Sequence, residues 1–360
     1  GVTPPATLTS LPGTACPALP PVDMTGAAVG GARAIVTDAA VQSALQLAIN
    51  AGGKIIFNTG GVARTVVLTA QLTVPFGVAP VVIDGGLQVT LDGNLAVRIF
   101  EKAYQTDFTL QRITLRNART PQSGAGINVE NWDGRLTVID VAFDNCRTTS
   151  TGPDIGGGAI RATGQRHLRI SGCTFTGCEG SNGGAVNSLG CRLTILDSTF
   201  TNGRAFGTGG GADRGPTGQG GIGGAVYIDG VDQNADAAEL MVCRSNFTGN
   251  SANDHAGAIF AYTRPEVRSQ SIIDATTFST NSVTGGLGFA GAIYLQNGDL
   301  WVTNSTFRAN TTTATGGGIW MLPAYTGTFQ NCTFQGNQAG TFGGGMTISG
   351  GSVSIANVTL

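Results

Sequence analysis

Residues 316–337 read GGGIWMLPAYTGTFQNCTFQGN, and both ends of this stretch recur along the chain. Its opening belongs to a Gly-Gly-Ala-Ile signature found at Gly157–Ile160, Gly183–Val186, Gly223–Val226, Ala256–Ile259, Ala290–Ile293, Gly316–Ile319 and Gly343–Met346. Its close belongs to a Phe-x-x-Asn signature that alternates with the first, at Phe247–Asn250, Phe278–Asn281, Phe307–Asn310 and Phe334–Asn337. Degenerate copies of the second stand at Phe143–Cys146, Phe175–Cys178 and Phe200–Gly203. The shortest repeat distances are 25 to 27 residues, and insertions account for the longer ones. A period of this length means one small unit stacked many times.

Inside the stretch, short apolar or alternating runs are broken by Gly, Asn and Pro, which is strand and turn punctuation. Glycine at this density also disfavours helix. No single unit can bury its own apolar residues, so the copies must stack in register, Ile319 over Met346 and Phe307 over Phe334. The expected fold is all-β, a parallel β-helix solenoid. Strands about 4.8 Å apart in roughly eleven coils make a rod on the order of 50 Å long. Right-handed winding is expected because parallel crossovers strongly prefer it.

Three residues before the Phe place stand Asp140, Asp197, Asn304, Asn331 and, if Leu360 takes that place, Asn357. Asn and Asp tolerate the left-handed backbone of a tight corner, and stacked amides can bond from coil to coil. Sequons at Asn246, Asn304, Asn310, Asn331 and Asn357 follow largely from this grammar rather than marking glycosylation.

Residues 1–36 are rich in Pro, Ala, Thr and Gly and read as an extended N-terminal arm. Residues 37–53 contain the one convincing helix, DAAVQSALQLAIN, with Val41, Leu45, Leu47 and Ile49 as its apolar side and Gly52-Gly53 ending it. It is placed to cap the first coil, and residues 54–360 form the β-helix. The chain stops within a strand at Val358–Leu360, so a continuation of the natural protein or another chain is expected to cover that end.

Composition excludes some partners. The chain carries 12% charged residues, a net charge of −2, and only Lys54 and Lys102 as lysines. With no basic cluster, nucleic acid is not an expected partner. No apolar run approaches the roughly 18 residues of a membrane span. The chain begins at Gly1 without Met, consistent with loss of an export signal. Cys16, Cys146, Cys173, Cys178, Cys191, Cys243 and Cys332 match no zinc pattern, and no metal or cofactor is called for. Cys146 and Cys178 occupy equivalent places in successive coils. Stacking sets their Cα atoms about 4.8 Å apart, within the roughly 4.4–6.8 Å range of a disulfide. They are a candidate bridge, the alternative being two stacked buried thiols.

The alternation of Gly-Gly-Ala-Ile with Phe-x-x-Asn over residues 143–360 resembles the repeat region of the chlamydial polymorphic outer-membrane proteins, autotransported surface adhesins. The first half, with the helix, Ile55–Phe57, Leu72–Val74, Val81–Gly85 and Val89–Gly93, is similar to the opening of secreted β-helix proteins of the pectate-lyase-like superfamily. The resemblance implies export and a bacterial outer-surface or secreted location. It carries no site residues over.

Strand alternation decides which residues point outward. With the Ile or Val of each signature inward, the next residue faces out: Arg161, Asn187, Tyr227, Phe260, Tyr294, Trp320 and Thr347. Tyr227, Phe260, Tyr294 and Trp320 form an outward aromatic stripe, with Tyr262 and Leu322 beside it. Exposed, it would bind a surface glycan or a protein partner, or hold the chain in a larger extracellular assembly. Alternatively the inserted loops Asp229–Glu239 and Thr263–Gln270 cover it. A non-enzymatic adhesive or structural protein is the expected function. The alternative is an extracellular polysaccharide lyase or glycoside hydrolase. Its candidate catalytic residues are Asp213, Asp254 and His255, in loops that enter the signature strands. No outward strand position repeats the Asp of calcium-dependent pectate lyases, and solvated loop charges are the plainer explanation.

Overall fold

A computed structural model describes residues 16–29, 38–130, 133–208, 220–230, 240–263, 269–285, 288–322 and 326–360. One coil shows the plan. Strand Ile160–Thr163 leads through a corner to His167–Ser171, then Thr174–Thr176, then the short Glu179–Gly180, after which Val186–Leu189 begins the next coil directly above the first. Stacked copies of these four strands make four parallel sheets of ten, twelve, ten and eight strands, together a β-solenoid of about 10 turns.

The two sequence signatures line the interior. Ile160, Val186, Val226, Ile259, Ile293, Ile319 and Met346 are paired in register as one ladder. On another wall Phe143, Phe175, Phe200, Phe247, Phe278, Phe307 and Phe334 stack ring on ring, with centroids 4.4–4.9 Å apart and planes within 10° of parallel. The strand spacing of about 4.8 Å is close to an aromatic stacking distance, so registered strands stack their rings without adjustment.

The Asn of Phe-x-x-Asn is a second internal ladder. The Nδ2 of Asn250, Asn281 and Asn310 donates to the Oδ1 of the next Asn at 2.8–2.9 Å, ending on Asn337. Each amide also donates to the carbonyl of the Phe in the coil below, as Asn281 does to Phe247 at 3.0 Å. The expected corners are present: Asp140, Asp197, Asn304, Asn331 and Asn357 all have φ of 50–55°.

The candidate Cys146–Cys178 bridge is not formed; the alternative reading, two buried thiols, is the one found. They stand where other coils place the ladder Asn and do its work. The Cys178 thiol donates to the Phe143 carbonyl at 3.8 Å and that of Cys146 to Leu115 at 3.7 Å. The two thiols also lie against each other, and this contact together with burial pushes the Cys146 pKa well up.

The disulfide joins Cys16 to Cys243, 227 residues away, with Cα atoms 6.0 Å apart. It straps the arm onto the outer face of the twelve-stranded sheet. There Cys16 and Leu19 pack against buried Leu196, Met241, Ile272 and Trp301. Further down, Gln111 pairs both its amide groups with the backbone of Val22, at 2.8 and 3.0 Å, and Ala28–Val29 adds an edge strand to Ile55–Ile56. Reduction is expected to cost about 2–4 kcal/mol, read as a lower melting temperature and as new proteolysis within residues 16–22. Denaturation without reductant should release five titrating thiols. Two fewer would mean that Cys146 and Cys178 are bridged after all.

Helix Asp38–Ala51 closes the first coil with Val41, Leu45 and Ile49. Leu47, expected on the same side, is 70% exposed, because two residues along a helix from Leu45 is a turn of about 200°. The strand edge is capped as well. Gln46 donates to the Thr73 carbonyl and accepts from its N–H, both at 2.8 Å, and Gln42 does the same for Ala70 and Thr69 at 2.9 Å. Two glutamines one turn apart thus take the place of a neighbouring strand.

Candidate functional site

The outward ladder of the Gly-Gly-Ala-Ile sheet has the predicted Arg161, Asn187, Tyr227, Phe260, Tyr294, Trp320 and Thr347 in register, and the structure extends it to Asn128 and Glu101 in the earlier coils. Its aromatic part is not exposed. Tyr227, Phe260, Tyr294 and Trp320 are 0%, 4%, 2% and 7% accessible. With Ile222, Ala256 and Ala290 they make a second small core outside the solenoid wall, and Tyr262 and Leu322 are half-buried at its margin. The rings cover one another at 5.2, 4.8 and 4.5 Å, and Phe289, from the loop entering Tyr294's own strand, stacks on Trp320 of the following coil at 4.2 Å. A stripe that touches itself this closely removes most of its own surface from water. Much of the inserted loops expected over it, 231–239 and 264–268, lies outside the described residues.

The acid–base candidates share this burial. Asp254 and His255 are 1% and 2% accessible. The His255 ring lies edge-on to Phe289 at 5.1 Å and 5.3 Å from Tyr294, with Nδ1 3.3 Å from an Asp254 carboxylate oxygen. The pair packs against the aromatic cluster and is buried from solvent. Asp213 lies outside the described residues. Of the other loop acids, Glu179 is paired to Arg147 at 3.2 Å and Asp154 is exposed.

An accessible concave site lies elsewhere, at the corner between the Gly-Gly-Ala-Ile sheet and the twelve-stranded sheet in the first four coils. Segments that leave strands Leu72–Val74, Phe100–Lys102, Ile127–Val129 and Ile160–Thr163 line a groove of about 530 Å³. Each contributes in turn: Phe76 from the first, Asp107 from the second, Asp133 and Arg135 from the third, Arg166 from the fourth. Phe76 is 62% exposed and Tyr104 41%, their rings 6.0 Å apart and tilted by 39°. Among the large apolar side chains of the chain, these two form an exposed ring pair.

The polar side of the groove is pre-arranged. Asp107 accepts from the Arg135 backbone N–H at 2.8 Å and pairs with its guanidinium at 3.3 Å. Asp133 pairs with Arg166, whose Nη2 lies 3.0 Å from its second oxygen, and accepts from the Gly134 N–H at 3.0 Å. The Arg166 bonds, with help from Gly134, hold the Asp133 carboxyl below the usual range. Below the groove Lys102 points into the wall, fully buried, and donates to Gln165 Oε1 at 3.0 Å. Burial pushes its ammonium down to about 8, opposed by the nearby Asp107 and Asp133.

This corner escaped the sequence reading because the repeat signatures are clean only from residue 143 onward. The first coils keep the strands but not the motifs, so their phase is not marked. A signal was present in retrospect: Phe76, Tyr104 and the charged residues Asp107, Asp133 and Arg166 all sit within six residues after a short strand of one sheet.

No family model matches the chain. No curated protein matches it either. Among solved structures it is similar to the catalytic domain of GH87 alpha-1,3-glucanase in complex with nigerose, at 11% identity over 96% of this chain and 71% of that chain, TM-score 0.35. It is also similar to Bacteriophage CBA120 tailspike protein 3, at 15% identity over 91% of this chain and 60% of that chain, TM-score 0.33. A third is PfbA, a surface adhesin of Streptococcus pneumoniae, at 11% identity over 90% of this chain and 92% of that chain, TM-score 0.28. At this identity and these scores the likenesses carry neither residue roles nor a function to this chain. No helix among the described residues is long and apolar enough to cross a membrane.

Proposed function

We propose that this chain is a non-enzymatic, adhesive β-solenoid of a bacterial surface or secretion, which binds a glycan in the corner groove rather than on the aromatic stripe. The observation that carries this reading is a groove of about 530 Å³ lined by Phe76 and two ion-paired carboxylates, with the exposed Tyr104 ring 6.0 Å from Phe76 just outside that lining. Aromatic faces suit the apolar side of a sugar ring, and fixed Asp–Arg pairs offer acceptors and donors to its hydroxyls. The resemblance to chlamydial surface adhesins supports the adhesive and exported parts of the proposal. Tyr104→Ala and Phe76→Ala should each weaken binding to a glycan found by array screening about tenfold, equivalent to ~1.4 kcal/mol, with the melting temperature unchanged. A glycan bound equally well by both variants would remove the groove from consideration.

The hydrolase or lyase reading has one observation in its favour. Glu101, on the outer face of the Gly-Gly-Ala-Ile sheet, has its pKa raised, chiefly by burial. That suits a general acid. It is, however, held by Arg98 and by Asn128 Nδ2 at 3.1 Å from both oxygens. The adhesive reading expects no reducing ends from a panel of polysaccharides. Release that Glu101→Gln abolishes would decide for the enzyme.

A further inference from the structure

The arm does more than strap the solenoid: between it and the twelve-stranded sheet lies a second cavity, of about 390 Å³. Its roof is Pro17–Leu19 and its floor carries His167, Arg169, Arg192 and Thr194. The roof is fixed on one side by the Cys16–Cys243 disulfide, and Arg244 Nη2 donates to the Pro17 carbonyl at 3.1 Å. A cavity of this size accommodates a ligand about as large as a monosaccharide.

The lining is cationic and lacks a carboxylate. Arg169 spends its Nε on His167 Nδ1 at 3.1 Å, and His167 Nε2 lies 2.8 Å from Thr194 Oγ1. Because Nδ1 accepts, the ring proton sits on Nε2 and the imidazole is neutral. Burial, then Arg169, Arg192 and Arg135, keep its pKa at about 3. The Nε of Arg192 is buried without a hydrogen-bond partner. Arg135 on the adjoining strand is neutralised by Asp107 at 3.3 Å, whereas neither Arg169 nor Arg192 has an ion-pair partner among the described residues. Two half-buried guanidinium groups on adjoining coils, short of a counter-charge, are costly unless an anion completes them. Their forked donors match a planar or tetrahedral oxyanion.

We propose that this cavity is an oxyanion-binding site that takes the carboxylate or sulfate group of a small acidic ligand. The site does not depend on the glycan reading of the groove, which neutral sugars test. Thermal shift and calorimetric titration with sodium sulfate and with sodium glucuronate, ionic strength held constant with chloride, distinguish a free mineral anion from a sugar acid. The expected result is saturable stabilisation by at least one of them. Arg169→Gln combined with Arg192→Gln should weaken that binding at least tenfold. Thr194→Glu places a carboxylate across the strand pair from Arg169. It should raise the melting temperature without ligand and abolish the response, so the test survives if the double variant does not fold. Wild-type protein that responds to neither salt beyond chloride, or a response that Thr194→Glu leaves intact, overturns the proposal.

Discussion

Phe247→Ala is expected to destabilise the solenoid by about 3–5 kcal/mol, the usual cost of deleting a buried aromatic ring. Phe247 is 0% accessible and stands mid-ladder, with Phe200 stacked at 4.6 Å and Phe278 at 4.9 Å. Truncation therefore forfeits two ring pairs, each worth roughly 0.5–1.5 kcal/mol beyond burial, and opens a void in a rigid wall. In a solenoid each coil leans only on its neighbours, so the interruption falls where cooperativity is carried. Phe334→Ala, with a single ladder partner at 4.7 Å and 4% accessibility, should cost less. Urea unfolding of the two variants checks the order. A mid-ladder loss below about 1 kcal/mol would mean that the rings are not mutually supporting.

Trp320→Ala should likewise cost about 3 kcal/mol or more of stability while leaving glycan binding as it was. The indole is 7% accessible, stacked on Phe289 at 4.2 Å and edge-on to Tyr294 at 4.5 Å. Removing it uncovers Phe289 and Tyr294 together, and with them His255, which packs on both. The contrast with Tyr104→Ala is the informative part. One substitution should move the melting temperature and not the affinity, the other the affinity and not the melting temperature. If Trp320→Ala weakened binding with stability unchanged, the stripe would regain the role that its burial argues against, and the groove would lose its claim.

Much of the structure was legible because a solenoid repeats its evidence. Ile160 alone is one apolar residue in a glycine-rich segment. Seven residues at the same phase give the strand, its inward face, its neighbours and its register, since an in-register stack pairs each with its equivalent. The left-handed corners at Asn304 and Asn331 follow for the same reason, and so does the outward direction of Tyr227 and Trp320. The cap was readable in its Val41, Leu45 and Ile49 spacing, though not in Gln42 and Gln46, whose service to the strand edge has no signature of its own.

What escaped is whatever depends on residues distant in sequence and unrelated by the repeat. Periodicity states that Trp320 points away from the lumen, but whether water meets it there depends on Phe289 and on the rings stacked beside it. Spacing set Cys178 above Cys146. They stay unbridged thiols, while Cys16 met Cys243 because the arm folds back across 227 residues. The groove joins four corners whose loops share no motif, and the arginine cavity exists only because the arm roofs it. Sequence alone determined the repeating wall, since local pattern and nearest-neighbour stacking suffice to build it. Tertiary structure decided exposure, cross-links and concavity, since these arise where non-equivalent segments pack and no periodic signal records the meeting.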